Sequence, residues 1–384
     1  MTIPSAREQL RHFEKQRSRI LDTIRQFVEI ESPSDLKQAV DRVGTVVASR
    51  FAELGGQVRV HVTEKFGNHL QIDFKAPGTR QKKSILLLGH LDTVYPIGTI
   101  SKIRCRVAKG RMYGPGVLDM KSGVALAVHV VEALLKWNSG KLPRPITTLL
   151  VSDEEVGSHS SRAITEALAR KSEAVLVLEP ASGMAVKTAR KGICEYTLRV
   201  QGKAAHSGLD FEKGHSAIIE ISKQIVEVAK LVDLKRGTTV NVGKISGGSR
   251  VNVVAAEATA GIDVRVARMG DALEIDNKLR SLKPFDPNCR LEISGGMNRP
   301  AMERNSGVAD LFAKASELAD ELGWELEEAA VGGGSDGNFT AALGIPTLDG
   351  LGAVGEGAHA EHESVVISEL PRRAALLAGL ISTI

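Results

Sequence analysis

Short runs of branched apolar residues alternate with helical stripes along the first half of the chain. The runs SILLLG, ITTLLVS and AVLVLE, at residues 84–89, 146–152 and 174–179, are typical of strands buried on both faces. Apolar spacing predicts helices between them, over about residues 123–137 and 162–170. Strands separated by helices indicate an α/β domain with a mixed, largely parallel sheet flanked by helices.

The pattern of the amino-terminal segment predicts one long helix. Ser5, followed three residues later by Glu8, is the signature of a capping box. Apolar residues then follow at helical spacing as far as Phe27. Pro33 and its polar neighbours are expected to end this element.

The order of the predicted elements changes in the middle of the chain. The expected strands lie at residues 193–202, 238–246, 257–266 and 290–294, with helices at 215–231 and 272–282. This order, β-α-β-β-α-β, is the ferredoxin-like split arrangement. An apolar stripe at helical spacing from Val308 to Leu322, ended by Gly323, then indicates that the α/β pattern of the first half resumes. We therefore expect one domain from residues 1–191 and 301–384, interrupted by a smaller α+β domain over 192–300.

Composition and charge exclude several function classes. The 384 residues are 42% hydrophobic and 25% charged, which is typical of a globular protein of two domains. The net charge of +4 comes without a basic stripe, so nucleic-acid binding is not expected. No stretch approaches the roughly 20 apolar residues of a membrane helix, and no signal peptide is evident, which predicts a cytoplasmic protein. The three separated cysteines form no CxxC pair and are expected to be free thiols.

Residues of metal-ligand type end several predicted strands or lie in the loops just beyond them. They are His90 with Asp92, Asp119, Glu154 with Glu155, Glu179, and His359. The carboxyl ends of strands are where open α/β sheets bind ligands, so we expect these side chains to converge in one crevice. Without Asp92 and Glu154, the set offers two imidazoles and three carboxylates, which two divalent cations and one hydroxide would neutralise. Such ligands suit zinc, with cobalt or manganese as alternatives, and two-metal hydrolases use such sites.

Two of these acidic residues are expected to support the chemistry rather than bind metal. An extended backbone would point the adjacent Glu154 and Glu155 in opposite directions. One could then bind metal while the other takes a proton from the attacking water and gives it to the leaving amine. Asp92, two residues after His90, is placed to orient that imidazole.

Several segments together resemble the dizinc exopeptidase family, which contains acetylornithine deacetylase, succinyl-diaminopimelate desuccinylase and glutamate carboxypeptidase. The segments are GHLDTV, GPGVLDMKSG, SDEEVGS, LEP and GAHAEHESV, and they span nearly the whole chain. The resemblance implies two zinc ions per subunit bridged by Asp119. His90 and Glu179 would complete one site, and Glu155 and His359 the other.

The same resemblance implies further roles around the metal site. Glu154 matches the general base, and the Asp119–Met120 peptide bond is expected to be cis. The ligand is His359 rather than the nearby His362, because Glu363 lies four residues after His359 and matches the family's HxxxE pattern.

By resemblance, the inserted domain is a lid and dimerisation domain with substrate-binding residues. His206 in GKAAHSG resembles the loop that reaches the partner subunit's active site and stabilises the oxyanion, which implies a homodimer. Asn252 and Arg265 match substrate-contacting positions. Arg299 in NRPAME and Gly334 in VGGGSDG resemble the segments with which glutamate carboxypeptidases, the closest subgroup, hold the substrate carboxylate. A guanidinium suits a carboxylate, and glycine lets the backbone approach closely.

One segment departs from that subgroup. Arg190 and Lys191 stand in a stretch that is uncharged there. This leaves the side-chain preference of the predicted enzyme open.

The predicted function is a metal-dependent carboxypeptidase that hydrolyses the amide bond to a C-terminal, carboxylate-bearing amino acid, with glutamate as the first candidate. The substrate would be a small peptide or an N-acyl amino acid. An N-acyl amino acid deacylase on the same two-metal site is the alternative. A dipeptidase or aminopeptidase is disfavoured, because no dedicated acid for a substrate ammonium is evident.

Three other readings explain less of the sequence. A serine hydrolase could use Ser335 in GGSDG with Asp349 and His359, but it leaves the upstream acids unexplained. The GLGAVG at residues 350–355 lacks the following helix and acid of a dinucleotide site. A non-catalytic binding protein is disfavoured, because the five ligand residues and the base are all present.

Overall fold

The structure is a computed structural model that describes residues 3–76 and 82–384. Its α-helices are α1 Ala6–Lys15, α2 Arg17–Val28, α3 Lys37–Glu53, α4 Thr99–Lys102, α5 Ser122–Trp137, α6 Arg162–Ala169, α7 Ala217–Ala229, α8 Met269–Arg280, α9 Ser306–Glu321, α10 Gly337–Ala342 and α11 Leu370–Thr383. Its strands are β1 Gln57–His61, β2 His69–Phe74, β3 Ser84–His90, β4 Arg106–Ala108, β5 Arg111–Tyr113, β6 Ile146–Val151, β7 Ser172–Val177, β8 Val186–Arg190, β9 Gly192–Gln201, β10 Thr239–Gly247, β11 Glu257–Val266, β12 Arg290–Arg299, β13 Glu328–Val331, β14 Thr347–Leu348, β15 Gly355–Glu356 and β16 Ser364–Val366. Among the described residues, no helix combines the length and the apolar character that crossing a membrane requires.

These residues form two compact units. The first runs to Ala189 and resumes over Arg304–Val331 and Ser335–Ile384. The second consists of Arg190–Glu303 and Gly332–Gly334. The boundaries expected from the sequence, before residue 192 and after residue 300, differ from these by two and three residues. That Gly332–Gly334 would group with the second unit was not expected.

The first unit is built around a six-stranded sheet in the order β1-β2-β6-β3-β7-β14. Strands β6, β3, β7 and β14 are parallel, and β1 and β2 add an antiparallel edge. Successive side chains of β3 point to opposite faces, so Ile85 and Leu87 join one apolar core while Leu86 and Leu88 join another. Residues of α2, α3, α5 and α11 fill the first core, and residues of α6 pack against the second. The predicted α/β fold class is confirmed.

A small antiparallel sheet in the same unit was not predicted. Its order is β15-β16-β5-β4, and its strands are two or three residues long. Strands this short have no apolar periodicity to detect. The pairing of β16 with β5 brings the loop of residues 357–363 to the segment that follows Tyr113.

The second unit contains the ferredoxin-like arrangement predicted from the order of its elements. Its antiparallel sheet has the order β10-β11-β9-β12, and residues of α7 and α8 share one apolar core with it. Strand β12 runs through Arg299, five residues beyond the predicted end at residue 294. The predicted strand ended before Gly295 because glycine is typical of strand ends. In the structure the backbone of Glu195 lies so close that a Cβ on Gly295 would be 2.2 Å from its carbonyl oxygen. At that position glycine allows the strand to continue.

The prediction of a single amino-terminal helix was wrong. The capping box at Ser5 is present, but the helix ends at Lys15 and a new one begins at Arg17. Gln16 adopts φ −90° and ψ 1°, outside the helical range. Helix α1 packs on α11, whereas α2 packs on α5. An apolar stripe with uninterrupted spacing does not reveal that its two halves have different partners.

Candidate metal centre

The ligand-type residues lie at the carboxyl edge of the central sheet of the first unit. His90 is the last residue of β3, and Glu179 lies two residues beyond β7. Glu155 lies in the turn after β6. Asp119 precedes α5, and the Asp119–Met120 bond is cis, as the resemblance implied. His359 lies on the loop between β15 and β16, with φ 65° in the left-handed region.

The side chains meet around the carboxylate of Asp119. Its Oδ1 lies 3.0 Å from Nε2 of His90, and its Oδ2 lies 3.4 Å from Nε2 of His359. Each imidazole also faces a second carboxylate. Nε2 of His90 is 3.6 Å from Oε1 of Glu179, and Nε2 of His359 is 3.2 Å from Oε2 of Glu155. Asp119 thus stands between two His–carboxylate pairs.

The carboxylates of this cluster favour the protonated form of its two imidazoles. Burial alone would lower the pKa of His90, but the carboxylates of Asp119 and Asp92 outweigh it and raise that pKa well above its usual value. Hydrogen bonds to Asp119 and Glu155 raise the pKa of His359 to about 10. Burial would raise the pKa of Asp119, yet the two imidazoles hold it below its usual range.

The residues present fit a divalent cation. Burial raises the pKa of Glu155, and its Oε1 is buried without a hydrogen-bond partner among the described residues. One ligand atom from each of His90, Asp119 and Glu155 can be chosen so that the three lie within 4.8 Å of one another. Buried carboxylate oxygens are costly unless they are paired or bind a cation. These observations define a candidate His/Asp/Glu metal site.

The expectation of an extended backbone at Glu154 and Glu155 was wrong. Residues Glu154–Val156 form a 3₁₀ turn. One ligand atom from each of His90, Glu154 and Glu179 also lies within 4.8 Å of the others. Both carboxylates therefore adjoin the same cluster, Glu154 near the His90–Glu179 pair and Glu155 near His359.

Asp92 explains why the chain bends after β6. Its carboxylate accepts hydrogen bonds from the backbone N–H groups of Glu154 at 3.3 Å and Glu155 at 3.2 Å. The hydroxyl of Ser34 donates a third at 2.7 Å. Nδ1 of His90 is closer to the backbone oxygen of Asp92, at 2.9 Å, than to its carboxylate, at 3.5 Å. Asp92 thus positions the glutamate turn as well as the imidazole.

Glu363 fixes the segment that carries Asp119. It is fully buried, and its carboxylate accepts the N–H groups of Gly116 at 2.9 Å, Leu118 at 2.7 Å and Asp119 at 2.9 Å. Burial raises the pKa of Glu363, while the hydroxyl of Tyr95 and these backbone donors act against that rise. The sequence indicated Glu363 only through the family pattern, and neither Tyr95 nor Ser34 was anticipated.

The remaining predicted residues lie in the second unit. Nδ1 of His206 accepts the N–H groups of Gly208 at 3.1 Å and Leu209 at 3.2 Å, which leaves the ring proton on Nε2. The side chain is exposed. The backbone oxygen of Asn252 accepts the N–H of Ser207, so Asn252 adjoins the His206 loop. Arg265 forms hydrogen bonds with Asp263, two residues away on β11.

Arg299 and Gly334 lie side by side. A Cβ on Gly334 would lie 2.8 Å from Cδ of Arg299 and 2.6 Å from Ile193, so only glycine fits there. Arg190 is buried, and its Nη1 donates to the carbonyl oxygens of Gly333 at 3.1 Å and Gly334 at 3.2 Å. The arginine that departs from the subgroup pattern therefore fixes the glycine segment.

Comparisons with known proteins show the family of this chain. The model of the peptidase family M20/M25/M40 matches residues 86–383. The chain belongs to this family. It is 31% identical to carboxypeptidase G2 of Pseudomonas sp. (strain RS-16) over 94% of this chain and 88% of that protein. It is 29% identical to a succinyl-diaminopimelate desuccinylase of Dechloromonas aromatica over 75% and 80% of the two chains.

A solved structure from the same family shows the fold. The YXEP protein of Bacillus subtilis, described as a dinuclear metal binding peptidase from the M20 family, superposes with a TM-score of 0.69 at 14% identity. The match covers 96% of this chain and 98% of that one. The family match and the similarity to carboxypeptidase G2 make the chain a hydrolase of the M20 metallopeptidase type.

The serine-hydrolase reading has no support in this M20 chain. Ser335 is fully buried, and its hydroxyl donates to Asp349 at 2.6 Å without an intervening histidine. The same hydroxyl oxygen accepts the N–H of Gly337 at the start of α10. His359, the third member of that alternative triad, contacts Asp119 and Glu155 instead. Ser335 therefore stabilises a turn.

Proposed function

We propose that the chain is a dizinc carboxypeptidase that releases a C-terminal amino acid with a side-chain carboxylate, glutamate being the first candidate. The observation that supports it most is Asp119, whose two carboxylate oxygens each face an imidazole that also faces a second carboxylate. Two M20 relatives, named a carboxypeptidase and a desuccinylase, cleave amide bonds beside carboxylates by their names. Cobalt or manganese are alternatives to zinc, and a cytoplasmic location stays a prediction.

The roles of this chain's residues follow from their positions. His90, Asp119, Glu155, Glu179 and His359 would hold two divalent cations, which when bound lower the pKa of water and polarise a carbonyl. Glu154 adjoins the cluster, and its carboxylate would take the proton of the attacking water and pass it to the leaving amine. Asp92 holds the Glu154 turn and the His90 ring in place.

Residues of the second unit would bind the rest of the substrate. The Nε2–H of His206 is a donor suited to an oxyanion. Arg299 and the amides near Gly334 would hold the carboxylate of the released amino acid, with Arg190 fixing the glycine backbone. Asn252 and Arg265 would complete the substrate contacts.

Metal analysis combined with a substrate panel tests this function. Two zinc ions per subunit and chelator-sensitive release of glutamate from N-acyl and peptidyl glutamates are expected. Glu154→Gln should reduce kcat by at least about 10²-fold while leaving the metal content unchanged, because the base is lost but the ligands remain. A parallel loss of metal would show that Glu154 is a ligand. Turnover of simple acyl amino acids alone would indicate the deacylase, and no hydrolysis would refute the proposal.

We further propose that the enzyme is a homodimer in which His206 acts at the partner's metal centre. The support is an exposed apolar surface on α7 and on the edge strand β10, where Ile219 is 58% and Ile245 is 60% exposed. Mixed dimers of His206→Ala and Glu154→Ala test it. If His206 acts on its partner, an equal mixture recovers about a quarter of wild-type activity, because half the dimers contain one intact site. If it acts within its own chain, nothing is recovered.

A further inference from the structure

A cleft of about 320 Å³ lies beside Glu155, entirely within the first unit. Its apolar walls are Pro33, Val94, Pro96 and Val156. The volume is at the lower end of the range for small-molecule sites. We call it the Val94 cleft. Glu155 and Ser34 in its lining have roles above, but no substrate group has been assigned to the cleft.

The Val94 cleft is preformed. Its two walls run side by side, because the N–H of Thr93 donates to the oxygen of Ser32 at 2.8 Å and the N–H of Ser34 donates to the oxygen of Thr93 at 3.3 Å. The hydroxyl of Ser34 is also bound to Asp92, which holds the glutamate turn. Substrate binding therefore need not order these walls.

Apolar side chains are exposed to solvent at this cleft. Val94 is 42% and Val156 is 41% exposed, immediately beside a centre made of carboxylates and imidazoles. Ile97, in the same loop as Val94, is 51% exposed. An exposed apolar patch next to a polar centre is typical of a ligand-binding surface.

The charge at the Val94 cleft determines which half of a substrate it can take. Among the residues that the structure describes, its ionisable lining consists of the carboxylates of Asp35 and Glu155, with no basic side chain. Glu155 is a metal ligand in the proposed function, so the repelling charge is that of Asp35: a carboxylate-bearing group would be repelled there, whereas an uncharged acyl group would not. Because Glu155 borders both the cleft and the metal cluster, an acyl group in the cleft would have its carbonyl beside that cluster.

We propose that the Val94 cleft is the acyl-side subsite and that it selects uncharged, apolar acyl groups over acidic ones. This deepens the proposed function and rests on it. The desuccinylase that resembles this chain has an acidic acyl substrate by its name, so the proposal separates the two specificities.

Two substrates of the same shape test the selection. In 5-methylhexanoyl-glutamate the acyl chain ends in an isopropyl group, and in glutaryl-glutamate a carboxylate of the same shape replaces it. We expect kcat/KM to favour 5-methylhexanoyl-glutamate by about 10- to 100-fold. Equal turnover, or a preference for glutaryl-glutamate, would overturn the proposal. A preference for 5-aminopentanoyl-glutamate over both would also overturn it, because Asp35 would then be recognising an ammonium group.

Two variants show whether the cleft itself makes the selection. Val94→Arg should move the ratio of the two kcat/KM values at least about tenfold towards glutaryl-glutamate, because a guanidinium would then face the acyl carboxylate. Val107→Arg is the matched control, since Val107 is 49% exposed on β4 and does not line the cleft. It should leave the ratio unchanged.

A milder variant tests the same proposal in case Val94→Arg does not fold. Val94→Thr keeps the shape of the side chain and should reduce the preference for 5-methylhexanoyl-glutamate by about threefold or more. An unchanged ratio in both Val94 variants would refute the subsite. If wild-type protein hydrolyses no acyl-glutamate at all, the proposed function has failed instead, so the two failures are distinguishable.

Discussion

Replacing Glu363 by glutamine is expected to weaken metal binding without touching a ligand. In the structure Oε1 of Glu363 accepts the N–H groups of Leu118 and Asp119, and Oε2 accepts that of Gly116. Glutamine has one acceptor oxygen, so its NH₂ group must oppose at least one of these backbone donors. The favoured orientation opposes Gly116 and keeps the other two bonds.

The magnitude follows from these contacts. The charge-assisted hydrogen bond from Gly116 is lost and its buried N–H is left unsatisfied, which together cost about 1.5–3 kcal/mol. Glu363→Gln should therefore lower the free energy of unfolding by about 1.5–3 kcal/mol. Because the same bonds hold Asp119, the Kd for zinc should rise about 10- to 100-fold, the usual effect of losing a residue that supports a metal ligand.

Urea unfolding of the metal-free protein gives the first quantity, and competition with a fluorescent chelator gives the second. Glu356→Gln is the matched control, because Glu356 is 65% exposed and pairs with Arg111 at the surface. It should change stability by no more than about 1 kcal/mol. If Glu363→Gln loses stability but keeps its zinc affinity, Glu363 does not position Asp119. If neither quantity changes, the interpretation of these contacts is wrong.

Three further changes have definite expected outcomes. At pH 7.5 the metal-free protein should hold protons on His90 and His359, so zinc loading should release about two protons per chain, measured by calorimetry in buffers of different ionisation enthalpy. Burial lowers the pKa of His129 to about 4, so the unfolded chain binds more protons between pH 4 and 6.5 and stability should fall as pH falls through that window. The loss, about 3 kcal/mol at most, should be absent from the urea unfolding of His129→Gln. Gly123→Ala should reduce stability by about 2 kcal/mol or more and lower the zinc content, because its Cβ would lie 2.1 Å from a carbonyl oxygen. Gly270→Ala is the control and should change neither quantity, because a Cβ there would lie in open space.

The sequence predicts the sheet and the candidate residues at its edge for one physical reason. Strands such as β3 and β7 are buried on both faces, so they appear as continuous apolar runs, and the first polar residues after them lie at the ligand-binding edge. His90 and Glu179 are found in this way. Their pairing around Asp119 was implied only by the family resemblance, because it depends on contacts between distant segments.

The role of Asp92 could be predicted from the sequence only in part. Its spacing from His90 indicates a partner for that imidazole, yet its carboxylate mainly contacts Ser34 and the turn at Glu154, 58 and 62 residues away. The 3₁₀ turn exists because of these contacts and has no local signal. In the same way, the loop bearing His359 is positioned by strands too short to show periodicity.

Glycines allow the close packing of the backbone segments that carry Asp119 and Glu179. A Cβ on Gly123, in the first turn of α5, would lie 2.1 Å from the carbonyl oxygen of Leu178, and one on Gly352 would lie 2.2 Å from the same oxygen. The N–H of Gly352 also donates to the carbonyl of Glu179 at 2.8 Å. The backbone that presents Glu179 therefore runs between two segments with no room for a methyl group on either side. Since α5 begins three residues after Asp119, this close approach also limits how far the two carboxylates can separate. The glycine pattern that superficially matches a dinucleotide motif thus lets one backbone pack against another at the metal centre.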